Sequence, residues 1–395
     1  MRGIFRLLAG IVVALAVIWA GLWWYAQTRL QAVLKAYAAE MTPADGSSSL
    51  SYDRISGGGF PFSAKATIAN PNLTVPLPDS QIPGPLALNV AYVTLRIDLL
   101  NPLALHIDVP DKITGHVPQG EGAVTFTSFN ATAKLSPAAL FNPHVFAVSS
   151  VDTTVTGVNV LASSGSLQVL HIDSIRTHQA VVPSASPAQT GLTLTEDFQG
   201  ISLPGWLTQL LRVPFKGQVA HLGVNLALSG PLDWPALSRQ LQATPQGPER
   251  TRVLVNALHG WASQGGNGTG SLNLMAGPTT LSAAGMVKFD TNVQPNGTVD
   301  VTADHLDALT AAITASYPQA QDSINQIEAQ LAPYISASAT GGQELTVHAT
   351  YGSNGIMANG KKLGEMPPLD WSLLTSPPPA QAPGDGSGAA AGTNP

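Results

Sequence analysis

The sequence contains no cysteine among its 395 residues. A disulfide framework, a thiol nucleophile, a lipidated cysteine and a zinc–thiolate site are therefore excluded. Charged residues are also scarce, at 11% of the chain, whereas a globular domain usually carries about a quarter. The formal net charge of −6 provides no basic surface for nucleic acid, so we expect no nucleic-acid partner.

The motifs of several enzyme classes are missing as well. The nine histidines form no helical i, i+4 pair, and there is no His-Glu-x-x-His segment. His171 and His178 are seven residues apart, which puts them on opposite faces of a straight strand. A Gly-x-Ser-x-Gly elbow and a Ser-x-x-Lys motif are absent. Glu196-Asp197 is the only adjacent acidic pair, and neighbours on a strand point apart. We expect no catalytic residues, no metal ligands and no cofactor.

One long apolar run stands at the start of the chain. Residues 7–26, "LLAGIVVALAVIWAGLWWYA", are uncharged, and a helix of about 20 residues is about 30 Å long, enough to cross a bilayer. Trp19, Trp23 and Trp24 lie at its end, as is typical of a membrane–water boundary. The run predicts a transmembrane signal anchor that follows a cytoplasmic N-terminus, residues 1–6. A signal peptide cleaved after Ala36-Tyr37-Ala38 is the alternative.

The rest of the chain divides by composition. Residues 27–41 continue the helical pattern and predict a stalk. Residues 42–372 predict a β-rich envelope domain, of one or two subdomains. Residues 373–395 are rich in Pro, Gly and Ala and predict a disordered tail, because they hold too little apolar surface to offset the entropy of ordering. We expect a single-pass inner-membrane protein with its bulk in the periplasm.

Alternation of apolar and polar residues dominates the region after the stalk. Residues 93–99, 103–109 and 222–228 each carry large aliphatic side chains at every second position. Such a pattern predicts strands with one buried and one wetter face, as in antiparallel sheets. We therefore expect a mainly β fold with a few helices, built on long bent antiparallel sheets. The run 251–258 also alternates and predicts a strand, and Asn296-Gly297 predicts a hairpin turn.

Helical patterns are few. Pro204 begins a short one, residues 231–243 carry another, and Asp304 is a candidate N-cap for a helix over 304–317. A further stripe follows from Pro318, so a helical hairpin is expected near residues 304–334.

Three glycines precede a Phe-Pro-Phe segment. A phosphate loop would need a following helix, but Pro61 lacks an N–H and favours an extended Phe60. We interpret Gly57, Gly58 and Gly59 as a sheet hinge, with Phe60 and Phe62 on one face as a plug for the end of the sheet. The later run 263–272, "SQGGNGTGSL", is interpreted as a flexible connection between strands.

Several of these motifs resemble one bacterial family. "GGGFPF" after an apolar anchor, then Asn70-Pro71, is similar to the start of the family called domain of unknown function 2125. Its later pattern resembles "SLNLMAGPTTLSAAGMVKFDTNVQPNGTVDVTADHLDALTAAI" and the closing "YGSNGIMANGKKLGEMPPLDW". The resemblance implies no known function and brings no catalytic residues. The stretch "G-x-V-x-F-D … P-N-G-x-V-x-V" also resembles AsmA-like envelope proteins, and this implies a curved sheet around an apolar groove for lipid.

These features lead to one functional expectation with two alternatives. We expect a non-enzymatic, membrane-anchored periplasmic protein that binds or guides lipid along an apolar sheet face. Its partners would be the inner membrane and lipid. A structural or assembly protein of the cell envelope without a ligand is the first alternative, and a hydrolase is the least favoured one. The candidate lipid-facing residues are Leu95, Ile97, Leu105, Ile107, Leu222, Val224 and Leu226.

Overall fold

The computed structural model describes residues 2–42, 48–76, 84–118, 120–137, 148–162, 165–182, 185–186, 189–230, 233–244, 247–339 and 341–371. Only the backbone is described for residues 2–13 and for residues 37, 40, 234, 235, 238, 239 and 242. The predicted tail, residues 373–395, lies outside the described residues, and so do the side chains of the predicted cytoplasmic N-terminus, residues 1–6.

Twenty-one strands form one antiparallel sheet in the described part of the chain. The prediction of a mainly β, antiparallel fold is thereby confirmed. The strands are β1 Ser49–Ser51, β2 Arg54–Gly58, β3 Ser63–Ala69, β4 Asn72–Pro76, β5 Pro85–Val90, β6 Tyr92–Asp98, β7 Asn101–Asp108, β8 Lys112–Val117, β9 Gly120–Thr125, β10 Ser128–Leu135, β11 Val148–Ala162, β12 Leu167–Val181, β13 Thr190–Ser202, β14 Gln218–Ser229, β15 Asn267–Ala276, β16 Thr279–Phe289, β17 Pro295–Asp304, β18 Ile335–Ala337, β19 Gln343–Gly352, β20 Gly355–Ala358 and β21 Lys361–Gly364.

In the described part of the chain, helices precede the sheet and interrupt it at three connections. The α-helices are α1 Arg2–Glu40, α2 Gly205–Leu211, α3 Trp234–Ala243, α4 Pro248–Ser263, α5 Leu306–Ser316 and α6 Gln321–Leu331. Short 3₁₀ turns span Pro214–Gly217, Pro318–Ala320 and Ala332–Tyr334.

The first ten strands are the halves of five longer ones. β3 and β4 pair with β6 and β5 in a single register, since Ala69 lies opposite Tyr92 and Asn72 lies opposite Asn89. Backbone hydrogen bonds continue through the interruption; for example, the Asn70 N–H donates to the Ala91 carbonyl. The sheet is therefore an up-and-down meander whose order in space follows the order in sequence through β17. β19 then pairs directly with β17, and the short β18 lies on the other side of β19.

The later strands are not divided into halves, but at the level of the same break two of them contain a glycine with an unusual backbone conformation. Gly157 in β11 and Gly200 in β13 have φ angles of 61° and 64°, a region that favours glycine. Val155 and Val158, on either side of Gly157, pack into the same apolar cluster although they are three residues apart. The glycine thus shifts which face of the strand points inward, and the first half of the sheet changes direction at this level.

Helix α1 is part of the globular fold. Leu30 and Leu34 are buried one turn apart and pack against Ala64, Ala66 and Ile68 of β3. The predicted helical stalk, residues 27–41, is helical through Glu40, and its apolar stripe packs against this part of the sheet.

The predicted membrane span lies in the same helix. Within the residues described, no helix is long and apolar enough to cross a membrane. The first part of the predicted span, residues 7–13, lies outside the described side chains.

Most predicted elements are found, with two shifts. Residues 93–99, 103–109 and 222–228 fall in β6, β7 and β14, and α5 and α6 form the expected helical pair. The hairpin turn expected at Asn296-Gly297 instead lies at residues 290–294, where the Asp290 carboxylate accepts from the Asn292 and Gln294 N–H groups. His305, with a φ of 57°, takes the N-cap position expected for Asp304.

Two local predictions were wrong. Residues 251–258 are helical, within α4, not a strand. Pro248 at its first turn favours a helix, and Leu254, Leu258 and Trp261 share one face at helical spacing, which outweighs the shorter alternation of valines. The supposed flexible connection 263–272 is mostly β15.

Two of the glycines before the Phe-Pro-Phe segment are required for different structural reasons. A Cβ on Gly57 would lie 1.9 Å from Nε2 of Gln27, so α1 can approach β2 only at a glycine. Gly59 has a φ of 95° in the turn that leads to β3. The plug expected from Phe60 and Phe62 was wrong, because these side chains are 61% and 73% exposed in the turn.

Gly57→Ala should destabilise the protein. Gln27 is buried, and its amide donates to the Lys65 carbonyl at 2.7 Å and accepts from the Lys65 N–H at 3.1 Å. An added methyl group would displace that amide, at a cost of about 1–3 kcal/mol in the free energy of unfolding. Urea denaturation of the purified full chain, followed by circular dichroism, measures the change.

Gly58→Ala is the matched control, since no atom lies within 4 Å of its added Cβ. Its effect should stay within about 0.5 kcal/mol. Equal losses for the two variants would contradict the proposed helix–strand contact. In a Gln27→Ala background, Gly57→Ala should cost less, because the closer clashing side chain is gone and only Nε2 of Gln31, at 2.7 Å, remains.

Candidate functional site

All seven candidate lipid-facing residues lie on one face of the sheet. Opposite residues of paired strands point to the same face, so the register can be followed from strand to strand. Two cross-strand rows connect the early and late candidates. The first is Leu95, Ile107, Ala131, Thr153, Thr177, Glu196, Val224, and the second is Ile97, Leu105, Ala133, Val151, Gln179, Leu194, Leu226. Leu222, two residues before Val224, is on the same face. We call the face that carries these two rows the apolar face.

The early part of the apolar face is closed. Ile97 and Leu105 are only 8% and 4% exposed, and they belong to the cluster built around Leu30 and Leu34 of α1. Leu95 packs against the same cluster, and Ile107 is half-buried beside it. The expectation that Leu95, Ile97 and Leu105 face an open groove was therefore wrong, because a helix that precedes the sheet covers them.

Helices also cover one end of the late part of the apolar face. Leu281, Ala303 and Leu345, from three neighbouring strands, pack against Leu306 and Leu309 of α5. Leu331, Tyr334 and Ile335, at the end of α6 and just after it, complete this cluster. The strand ends nearest to α5 are thus sealed.

The pair α3 and α4 covers the opposite end. The indole N–H of Trp261 in α4 donates to the Ser229 carbonyl at 2.8 Å, and its ring meets Phe289 edge-on at 5.7 Å. A Cβ on Gly266 would lie 2.4 Å from this ring, so the close approach requires glycine. A cavity of about 240 Å³ remains between α4 and Leu228.

An open apolar groove lies between the two helical covers. It has a volume of about 540 Å³ and is lined by residues of β13 to β17 and of β19. Val224 and Leu226 form one wall, and Val299 stands on the other side. Leu228 lines both this groove and the smaller cavity under α4. Of the sequence candidates, the structure therefore brings Val224 and Leu226 to the groove; Leu222 lies in the next row and is half-buried.

Small residues make the floor of the groove. Gly270 of β15 lies directly opposite Gly285 of β16, and Leu226 and Val299 are their next neighbours in the row. A Cβ on Gly270 would meet only the backbone oxygen of Asn225, at 3.6 Å. Among the described residues, no side chain lies within 4 Å of that Cβ, and the surrounding aliphatic groups are only half-buried. Here the apolar face is an open trough and not a packed core.

Tyr351 of β19 closes the groove at its rim. Its hydroxyl donates to the Met286 carbonyl at 3.4 Å, and burial raises the pKa of the phenol above its usual value. The ring therefore presents an apolar side to the groove while the hydroxyl stays bonded to the backbone.

The two acidic neighbours Glu196 and Asp197 point to opposite faces. Glu196 follows Leu194 on the apolar face, at the edge of the groove. Asp197 lies on the polar face, where its carboxylate is 2.6 Å from Nε2 of His221 and 3.8 Å from Arg176. The alternation of β13 thus separates the two carboxylates, and they cannot act together on one substrate.

Histidine–carboxylate pairs recur across the polar face. His178 lies 2.6 Å from Asp152 of β11, and His348 lies 2.5 Å from Asp300 of β17. Each pair joins adjacent strands. Among the described residues, no group of three metal-ligating side chains comes together. The polar face is held by pairwise contacts between strands.

Sequence reasoning missed Gly270, Gly285, Val299 and Tyr351. Gly268-x-Gly270 was assigned to a connection, although it continues the alternation of the following "SLNLMA". A glycine at every second position, in register with aliphatic residues of the next strands, is the signal that could have identified a trough.

Comparison with known proteins places the chain in one family. The family described as "Uncharacterized protein conserved in bacteria (DUF2125)" matches residues 23–350. No curated protein and no solved structure matches the chain. The match begins within α1 and ends within β19, so it includes most of the sheet and every residue that lines the groove except Tyr351. The chain therefore belongs to the bacterial DUF2125 family of uncharacterized proteins.

Proposed function

We propose that this protein is a non-enzymatic, membrane-anchored envelope protein that holds an acyl chain in the groove of its apolar face. One observation carries the proposal. The apolar face is covered by helices at α1, α4 and α5, and between them it stays open above Gly270. An apolar trough left uncovered in a soluble domain is costly unless something apolar occupies it.

The size and lining of the groove suit a lipid tail. Its volume of about 540 Å³ lies within the range of roughly 300–1,000 Å³ typical of ligand pockets. Burial of a methylene contributes about 0.8 kcal/mol, so about ten methylenes contribute about 8 kcal/mol before the cost of ordering the chain. None of the described residues that line the groove is charged, so affinity would come from the tail and the headgroup would stay outside.

Anchoring is supported by the sequence and by exposure on α1. Residues 7–26 carry no charge. Leu15, Ile18, Leu22 and Trp24 in this run are largely exposed, because the sheet covers only the later turns of α1. Large apolar side chains exposed on one helix favour an apolar environment around it. An inner-membrane location with the sheet in the periplasm follows from this proposal.

A ligand-free structural or assembly role is the second candidate. The packed clusters under α1 and under α5 and α6 favour it, because they are closed and leave no space for lipid. The two candidates differ in what fills the trough above Gly270, and this makes the trough the place to test them.

Gly270→Val should reduce bound lipid without loss of stability. The added side chain would fill the trough, where its Cβ meets only one backbone atom at 3.6 Å, and valine favours strands. The full chain is purified from membranes in mild detergent, and lipid extracted from it is quantified by mass spectrometry. We expect several-fold less lipid per protein in the variant, with an unchanged melting temperature.

Thr269→Val is the matched control. It also introduces valine into β15, but it lies one residue away and so on the opposite face. Its lipid content should equal that of the unmodified protein. A well-folded unmodified protein without lipid, or equal losses in both variants, would contradict lipid binding and favour the structural role.

The membrane topology has its own test. A phosphatase fused after residue 370 should be active, because the sheet is proposed to lie in the periplasm. A reporter that is active only in the cytoplasm, fused at the same residue, should be inactive at equal expression. The reverse pattern would contradict the topology, and release of the full chain by alkaline carbonate would contradict the anchor.

A further inference from the structure

Exposed hydrophobic side chains cluster at the end of the sheet beside α1. Phe60 and Phe62, in the turn between β2 and β3, are 61% and 73% exposed, and Leu100, in the turn between β6 and β7, is 84% exposed. Pro61 and Leu99 complete this group. We call these five residues, Phe60, Pro61, Phe62, Leu99 and Leu100, the turn cluster.

The turn cluster is held in place by defined contacts. The Leu99 N–H donates to the Phe62 carbonyl at 3.0 Å, which ties the two turns together. The Ser63 N–H donates to the Gly59 carbonyl at 2.9 Å and closes the first turn. The Phe60 ring meets Trp23 of α1 edge-on, with 5.3 Å between centroids. The exposed phenylalanine rings of the turn cluster are thus held by hydrogen bonds and by the contact with α1.

Helix α1 passes directly beside the turn cluster. The Trp19 indole N–H donates to the Pro61 carbonyl at 2.7 Å, and that of Trp23 donates to the Ser63 carbonyl at 2.8 Å. Further along, the Gln27 amide donates to the Lys65 carbonyl. Because successive turns of α1 contact successive residues leading into β3, the helix and the strand run in the same direction. Residues of α1 before Trp19 therefore lie beyond the start of β3. From residue 7 to residue 18 this part measures about 18 Å at the rise of a helix.

The chemistry of the turn cluster fits a lipid surface better than a protein partner. The segments 57–64 and 99–103 contain no charged residue. The nearest acid, Asp98, is bonded to Arg96 at 3.0 Å. The exposed apolar surface continues from the cluster onto α1 through Leu15 and Ile18, which are also exposed. Tryptophan favours the boundary between headgroups and acyl chains, and Trp19 and Trp23 lie beside the cluster. Phenylalanine and leucine side chains are buried at the same boundary in interfacial segments.

We propose that the turn cluster inserts into the headgroup–acyl boundary of the bilayer that holds α1. The inference rests on the anchoring part of the proposed function and does not depend on the groove. Trp19 and Trp23 set the depth, because they tie the cluster to the helix at the level where the apolar run ends. Because α1 is packed against β3, the helix and the sheet move as one body. A single anchor would let that body tilt relative to the bilayer, whereas a second contact beside α1 would limit the tilt.

Single cysteines test this placement, since the chain has none of its own. Phe62→Cys and Leu100→Cys report on the cluster, and Leu15→Cys reports on α1. Leu167→Cys is the matched control, because Leu167 is an exposed leucine at the opposite end of the strands. Each full-length variant carries an environment-sensitive fluorophore in vesicles of phosphatidylethanolamine and phosphatidylglycerol, with or without lipid spin-labelled near the headgroup.

The expected result is blue-shifted emission at positions 62 and 100, quenched several-fold more by spin-labelled lipid than at position 167. If the labels at positions 62 and 100 show the emission of a label in water while the label at position 15 is blue-shifted and quenched by lipid, insertion of the cluster is overturned and anchoring stands. A blue shift without quenching by lipid would overturn it in favour of a protein partner or a second copy. A label at position 15 in water would overturn anchoring and insertion together.

Discussion

The register of the antiparallel meander, which is continuous along the rows that cross the apolar face, is the constraint on which the rest of the structure depends. Side chains alternate between faces with a period of two, so a slip of one residue in any pair of strands would turn one apolar set outward. The register carries one apolar face from Ile97 in β6 through Leu194 in β13 to Val299 in β17. Glycines at 157 and 200 change the direction of the strands without ending the pairing.

The use of each part of the apolar face depends on which helix covers it. Leu30 and Leu34 of α1 make a packed core over Ile97, and Leu306 of α5 does the same over Ala303. The three helical insertions after β13 all sit at strand ends, because each replaces a hairpin turn. None of the described helices therefore covers the middle of β14 to β17, and the paired glycines 270 and 285 deepen it into a groove.

The sequence predicted the class of fold and the strands, because alternation is a local signal that directly reflects one buried face. It could not distinguish Ile97 from Leu226, which have the same pattern and lie in the same row of the sheet. Their difference arises from contacts distant in the sequence, namely the packing of α1. The helix α4 was missed for a local reason, since valines 253 and 255 alternate while Leu254, Leu258 and Trp261 follow helical spacing.

In this protein the apolar side of the sheet is thus partly core and partly groove. The proposed lipid in the groove can be sought in intact cells with a photoreactive amino acid at Val299, whose side chain faces the trough, and at Thr298, which points to the opposite face. After irradiation, mass spectrometry of the protein should detect a lipid adduct at position 299 and none at position 298. A position 299 that forms no adduct, or that crosslinks only to protein, would contradict a lipid-filled groove.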